Sequence, residues 1–141
     1  MEMLTGRPLV PGKADGTVLV AREPLSFWGG LNPHTGEVID RRHDLSGQIV
    51  TGRVLVLPYS RGSSSTSSTL TEAIRAGTAP AAIITCGSDP VLALGSIVAL
   101  ELYQRTVPII ALDEAHYQRL KTGDRVVVHL NGKIEKVPQG N

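Results

Sequence analysis

The chain has 141 residues, enough for one domain with its own hydrophobic core, and its 14 basic and 13 acidic side chains leave a net charge of +1. No basic run is longer than Arg41-Arg42, which argues against a nucleic-acid partner, and no apolar run approaches membrane-spanning length. The single cysteine, Cys86, excludes an internal disulfide and favours a reducing cytoplasm. We expect one turn-rich domain over residues 1–141, with an aliphatic core.

Turn residues divide the first half of the chain into short runs of β-forming residues. Glycines recur at short intervals, together with one Asn-Pro pair. The runs between them predict strands at 17–22, 36–39, 47–50 and 53–57. The first half is therefore expected to be rich in β-structure.

The second half alternates between strand and helix patterns. Strands are expected at 80–85 and 107–112, and a hairpin is expected at 124–137 because Asn131-Gly132 is a strong turn signal. Such alternation implies a parallel sheet flanked by helices, so the predicted fold class is α/β. The predicted helices run over 69–77, 90–106 and 113–123, with Asp89 and Asp113 as N-terminal caps of the last two.

The segment SRGSSSTSST, residues 60–69, follows the strand VLVLP after Tyr59 and leads into a helix. Ligands of open α/β sheets bind at this kind of position, where the carboxyl end of a strand meets a helix N-terminus. Gly62 would let the backbone approach an anion, and Arg61 could grip a carboxylate. Two interpretations stay open at this point: an anion site, or a helix capped by one serine with the others exposed. The further hydroxyl donors of the anion site would be Ser63, Ser64, Ser65 and Thr66.

Other chemistry-bearing residues are scattered along the chain. SFWGG, residues 26–30, holds the only Trp and the only Phe, and it suits either a core anchor or a loop shaped against a partner or ligand. Cys86 is expected to be a small hydrophobic residue rather than a metal ligand. Turn chemistry is the expected role of Asn32, His34 and Thr35, with substrate contact as the alternative. No metal-ligand spacing relates His43, His116 and His129.

Six segments taken together resemble one family: 11–20, 26–40, 43–58, 60–68, 79–84 and 92–102. The combination of SFWGG-x-x-P-x-T-G with RGSS is the most specific part. The chain is similar, from about residue 4 to about residue 130, to the small subunit of aconitase X, the swivelling domain of a split aconitase-superfamily dehydratase. This resemblance implies a swivelling β/β/α domain with a β-rich N-terminal half and a strand–helix–strand–helix parallel segment.

The resemblance also implies a role for the serine segment. Gly62-Ser63-Ser64 matches the family's Gly-Ser-Ser loop, in which the first serine removes a proton from the substrate, so Ser63 would be the proton acceptor. Substrate binding would fall to Arg61, Gly62, Ser64 and Ser65. In aconitases proper an arginine follows the paired serines, and Ser65 stands in its place here.

An iron or iron–sulfur centre would be held by a large subunit, with no metal ligand from this chain. The chain would then be half of a cytoplasmic hydro-lyase that is active only as a complex with that subunit, in a heterodimer or higher assembly. The substrate would be a small molecule bearing a carboxylate or a phosphate.

Family members resemble dehydratases of cis-3-hydroxy-L-proline or of mevalonate 5-phosphate, the second reaction belonging to phosphomevalonate dehydratase. The segment 95–110 is more similar to the members that act on hydroxyproline. The expected substrate is therefore cis-3-hydroxy-L-proline. A phosphohistidine swivelling domain is a rival with a similar outline, but no histidine lies between His43 and His116 to carry its phosphate. A non-catalytic binding or assembly module remains the alternative from another class.

Overall fold

In the computed structural model, residues 2–138 form an eight-stranded mixed sheet, a two-stranded sheet and three helices. In chain order the elements are β1 (Glu2–Thr5), β2 (Arg7–Val10), β3 (Ala14–Val20), β4 (Leu25–Ser26), β5 (Val54–Leu57), β6 (Ser60–Arg61), α1 (Ser64–Ala76), β7 (Ala82–Cys86), α2 (Pro90–Tyr103), β8 (Ile109–Leu112), α3 (Glu114–Tyr117), β9 (Arg125–Val128) and β10 (Lys133–Val137). The order in the large sheet is β1-β10-β9-β3-β5-β7-β8-β2, and β4 pairs with β6. Within residues 2–138, none of the helices has the length and apolar character needed to cross a bilayer.

The centre of the large sheet is parallel, as predicted. β5 pairs in parallel with β3 on one side and with β7 on the other, and β7 pairs in parallel with β8. α1 connects β5 to β7 and α2 connects β7 to β8, so two of the three parallel steps pass through a helix, whereas β3 and β5 are joined by a long segment that contains only β4. The predicted β9–β10 hairpin is also present and joins β3 in antiparallel register. The predicted α/β class is confirmed.

The two edge strands of the large sheet are consecutive in the chain. β1 pairs with β10 at one edge and β2 pairs with β8 at the other, yet only Gly6 separates them. The sheet therefore curls into a ring whose edges meet at this glycine. The Gly6 amide donates to the Gly132 carbonyl at 3.1 Å, and a Cβ on Gly6 would lie 2.8 Å from that same oxygen. Only a residue without a side chain fits this crossing.

The ring separates two hydrophobic cores. Strand residues alternate between them: Val54 and Val56 of β5 point into the ring, whereas Leu55 and Leu57 face the helices. Aliphatic side chains from seven strands fill the ring, as expected for an eight-stranded closed sheet. The outer core is covered by α1, α2 and the long segment between β4 and β5. β5 is buried on both faces, and its sequence VLVL is therefore apolar at every position.

Two predicted strands in the β4–β5 connection do not form. Residues 36–39 and 47–50 make only isolated bridges, Leu31 to Val38 and Glu37 to Ile49. Gly36 and Gly47 adopt positive φ values of +77° and +85°, which turn the chain within two residues of each bridge. The segment still packs well, because five of its apolar residues are fully or nearly fully buried, namely Phe27, Leu31, Val38, Leu45 and Val50.

The third predicted helix is much shorter than 113–123. α3 ends at Tyr117, although Asp113 caps it as expected by accepting from the His116 amide at 2.8 Å. The Lys121 amide is bonded to the Asp124 side chain at 2.9 Å, so it is not available for a helical bond. Thr122 accepts from the Val20 amide at 2.9 Å and holds this segment against the end of β3. Local side-chain bonds thus replace the helical ladder here.

Two N-terminal strands were not predicted. β1 and β2 each span four residues, and Pro8 lies inside β2. Pro is tolerated there because β2 is an edge strand. Both strands depend on pairing with the last third of the chain, which local patterns do not reveal.

Candidate functional site

The serine segment leaves the large sheet at the carboxyl end of β5 and enters α1. Between them lies β6, which pairs in parallel with β4 so that Ser26 stands opposite Arg61. The carboxyl ends of β5 and β7 lie at the same edge of the sheet, because the two strands are parallel neighbours. The segment therefore occupies the edge at which α/β sheets bind ligands.

Helix α1 begins at Ser64, five residues before the predicted start at Thr69. Serine and threonine are weak helix formers, which is why the pattern predicted a later start. Their hydroxyls are satisfied inside the helix by carbonyls four residues back: Ser68 Oγ donates to the Ser64 carbonyl at 2.9 Å and Thr69 Oγ1 to the Ser65 carbonyl at 2.8 Å. The run of hydroxyls is mostly helix, and only its beginning is a loop.

Gly62 forms the turn that places the next serine. Its φ of +103° lies where side chains are strained, and a Cβ there would lie 2.7 Å from Thr66 Oγ1. Thr66 is fully buried and donates to the Arg61 carbonyl at 2.6 Å, which closes the turn from the helix side. Ser26 Oγ lies 3.9 Å from the same Cβ position, so β4 flanks the turn from the other side.

Ser63 occupies the N-cap position of α1 without capping it. Its side chain makes no capping hydrogen bond, while its carbonyl accepts from the amides of Thr66 and Ser67 at 3.0 and 3.2 Å. The amides of Ser64 and Ser65 open the helix and have no helical acceptor. All three serines are exposed, and the first turn holds no acidic residue. The geometry favours the anion-binding interpretation over the capping one, since an uncapped helix start carries positive potential.

Two large aromatic side chains are exposed beside the serine segment. Trp28 is 68% exposed and Tyr59 is 52% exposed, whereas Phe27 is fully buried in the outer core. The Trp28 carbonyl accepts from Ser26 Oγ at 3.0 Å, which fixes the indole-bearing loop to the strand that flanks Gly62. SFWGG thus combines both expected roles: Phe27 is the core anchor, and Trp28 is available to a partner or ligand.

The turn at 32–36 does not reach the serine segment. The Asn32 side chain accepts from the His34 amide at 2.9 Å, and Thr35 Oγ1 accepts from the Glu37 amide at 3.2 Å, which is turn chemistry. The Pro33 carbonyl accepts from Thr78 Oγ1, just past the end of α1. The turn therefore contacts the residues just after α1, whereas the serine segment forms the N-terminal end of that helix.

A cleft of 410 Å³ lies near the carboxyl ends of β3, β5 and β7 and is lined in part by Cys86 and Tyr117. Burial raises the pKa of the Cys86 thiol, and the nearby Glu114 and Asp113 carboxylates raise it further. Burial also raises the pKa of Tyr117 to about 12. Both groups therefore stay neutral near pH 7, and a neutral thiol is a poor metal ligand. Across residues 2–138, His, Cys, Asp and Glu side chains form no group able to hold a metal ion.

The raised pKa of Tyr117 predicts a pH-dependent loss of stability. The unfolded chain releases the phenol proton near its ordinary pKa of 10.0, whereas the folded chain keeps it up to about 12. The free energy of unfolding should therefore fall as pH rises through this interval. Urea titrations at successive pH values should show a shallower fall in Tyr117→Phe than in wild type. Tyr59→Phe, at an exposed tyrosine, is the control, and a wild-type slope in Tyr117→Phe would contradict the assignment.

Comparisons with known proteins agree with this architecture. The family model for the aconitase X swivel domain matches residues 3–136. The crystal structure of Thermococcus kodakaraensis aconitase X in its holo-form superposes with a TM-score of 0.87 at 35% identity, covering 98% of this chain and 100% of that chain.

Two curated relatives differ in length. Cis-3-hydroxy-L-proline dehydratase of Pseudomonas aeruginosa is 51% identical over 112 residues, which are 79% of this chain but 19% of the relative. The phosphomevalonate dehydratase small subunit of Methanosarcina mazei is 37% identical over 137 residues, covering 96% of this chain and 91% of the relative. The chain thus spans about a fifth of the first protein and nearly all of the second. Fold, family model and relatives agree, and the chain belongs to the aconitase X swivel-domain family.

Proposed function

We propose that this chain is the small subunit of a two-subunit dehydratase and that Ser63 is its proton acceptor. The observation that carries the proposal is the exposed Ser63 hydroxyl, which makes no capping bond at a helix start free of acidic residues. A serine side chain that is neither packed nor capped is free to meet a substrate. The unpaired amides and helix dipole around it stabilise the negative charge that a serine base must carry.

The reaction would remove H and OH from adjacent carbons and release them as water. Deprotonated Ser63 Oγ would take the proton from the substrate carbon as the carbon–carbon double bond forms and the hydroxyl leaves. The amides of Ser64 and Ser65 would hold the substrate's carboxylate or phosphate, and their hydroxyls would add donors. Arg61 is exposed next to Gly62 and would supply a bidentate contact to the same anion.

The iron or iron–sulfur centre that such dehydratases use would be held by the large subunit. The residues of this chain do not fit it: Cys86 is a single thiol with a raised pKa, and residues 2–138 provide no cluster of ligands around it. The centre would supply the polarisation of the departing hydroxyl. This chain would contribute the base and the anion cradle.

Cis-3-hydroxy-L-proline is the substrate we propose, supported by the 51% identity to the Pseudomonas aeruginosa relative. Mevalonate 5-phosphate is the second candidate, because the small subunit from Methanosarcina mazei matches this chain over nearly its whole length. The decisive experiment is anaerobic co-expression with the large subunit, followed by assays of both substrates. Turnover of cis-3-hydroxy-L-proline alone would support the proposal. If the assembled complex turned over neither compound, a non-catalytic binding or assembly module would be the better interpretation.

Trp28 is proposed as part of the surface that the large subunit covers. Its indole is 68% exposed beside the serine segment, and exposed tryptophans are frequent interface hot spots. Trp28→Ala should weaken subunit association by about 2 kcal/mol, roughly a thirtyfold rise in Kd. Titration calorimetry with the large subunit would measure this. Leu130→Ala, at an exposed apolar residue in the β9–β10 hairpin, is the control, and an unchanged Kd in Trp28→Ala would place the interface elsewhere.

A further inference from the structure

Asp89 is a buried carboxylate that joins two separate parts of the site edge. It is only 4% exposed, and each of its oxygens accepts a backbone amide: Oδ1 from Leu92 at 3.0 Å and Oδ2 from Ser60 at 2.7 Å. Ser60 Oγ donates to the carboxylate as well, at 2.9 Å to the nearer oxygen. Asp89, the cap of α2, therefore also anchors β6, the strand with which the serine segment begins.

This anchor acts on the backbone that sets the place of Ser63. Ser60 is bonded to Asp89, Arg61 is paired with Ser26 of β4, and the Arg61 carbonyl accepts from Thr66. The segment before Gly62 is thus held from three directions. The Ser63 side chain makes no capping bond of its own, so the position of its hydroxyl depends on this backbone.

We propose that Asp89 is the positioning residue for Ser63: by bonding both Ser60 and the start of α2, it holds the serine segment where the Ser63 hydroxyl can take a proton from the substrate. The inference rests on the proposed function, and it adds a residue that touches neither the substrate nor the reacting atoms. A carboxylate is needed because the two amides meet different oxygens. Asparagine could accept from only one of the two amides, because its NH₂ group is a donor and would face the other amide, which is also a donor.

Serine at position 89 separates the anchor from the cap. Serine caps helices about as well as aspartate, so Asp89→Ser should keep the bond to Leu92 while its side chain is too short to reach Ser60 as well. Asp113→Ser is the matched control, because Asp113 caps α3 by the same bond and makes no contact with the serine segment. Both variants should keep a wild-type circular dichroism spectrum.

Amide hydrogen exchange of the chain alone tests the anchor without any enzyme assay. The informative amides are those of Thr66 and Ser67, which bond to the Ser63 carbonyl and do not touch Asp89. Asp89→Ser should raise their exchange rates by about tenfold or more, whereas Asp113→Ser should leave them unchanged. Wild-type exchange at Thr66 and Ser67 in Asp89→Ser would overturn the proposal.

Kinetics of the assembled enzyme tests the positioning role. In Asp89→Ser, kcat should fall by about 10²-fold while KM rises much less, by about threefold, because proton transfer to Ser63 depends more steeply on position than anion binding by the same segment does. Faster exchange with a wild-type kcat would overturn the positioning role. If the wild-type complex turned over neither substrate while Asp89→Ser still loosened the segment, the proposed function would fail and the anchor would stand.

Discussion

Ser63→Ala should lower kcat of the assembled enzyme by about 10² to 10⁴-fold, the usual contribution of a general base. KM should change little, because the amides of Ser64 and Ser65 and the Arg61 side chain remain to bind the substrate anion. Assembly and thermal stability should also persist, since the Ser63 hydroxyl makes no capping bond within the chain. Steady-state kinetics on the substrate that wild type turns over would measure the loss, and size-exclusion chromatography would verify the complex.

Ser68→Ala is the matched control for this substitution. Ser68 is an exposed serine of the same run, but its hydroxyl donates to the Ser64 carbonyl inside the helix. Loss of this hydroxyl should leave kcat within about twofold of wild type, because substitutions at exposed positions usually change the free energy of unfolding very little. An assembled Ser63→Ala complex that retained wild-type kcat would remove Ser63 from the chemistry and leave it as a helix-start residue only.

Gly6→Ala should produce a large loss of stability for the addition of a single methyl group. The new Cβ would lie 2.8 Å from the Gly132 carbonyl and against the side chain of Ile110, at the point where the sheet closes. The backbone of the β9–β10 turn cannot move away from the new methyl group without breaking the hydrogen bond between Gly6 and Gly132. We expect the free energy of unfolding to fall by about 3 kcal/mol, as overpacking of a tight site does. Urea denaturation would measure it.

Gly47→Ala distinguishes this crowding from ordinary glycine strain. Gly47 has a φ of +85°, yet a Cβ there would meet nothing within 4 Å. The cost should be about 1 kcal/mol from the left-handed backbone alone. Equal losses in the two variants would mean that the closure of the sheet at Gly6 does not depend on close backbone approach.

The parallel centre of the fold could be predicted because its signals are local. Continuous apolar runs mark β5, β7 and β8, and helical spacing between them implies the crossovers. The position of the serine segment followed from this alternation, since a loop between a buried strand and its helix must lie at the carboxyl edge of the sheet. Asp89 was likewise predictable as a cap, because Asp-Pro at a helix start is a local pattern.

The contacts that shape the site could not be predicted, because they join distant parts of the chain. Asp89 lies 29 residues from Ser60, and no local pattern relates an aspartate cap to that serine. Ser26 precedes Arg61 by an even longer stretch and reaches it only through a two-residue strand. The start of α1 was missed for a different reason: propensity disfavours a serine-rich helix, and hydroxyl-to-carbonyl bonds inside the helix overcame it.

The pairing of β1 with β10 has a consequence for how this domain can be attached to other proteins. Glu2 stands opposite Lys136 in antiparallel register, about 5 Å away, so the first and last strands of the domain end side by side. A fusion made at either end would therefore leave the domain from nearly the same point, and the ring and the serine segment would not be disturbed. The matching region is 19% of one relative and 91% of another, and adjacent ends are compatible with both arrangements. It also makes the domain a good candidate for circular permutation, with a short linker across the seam and new ends in an exposed loop.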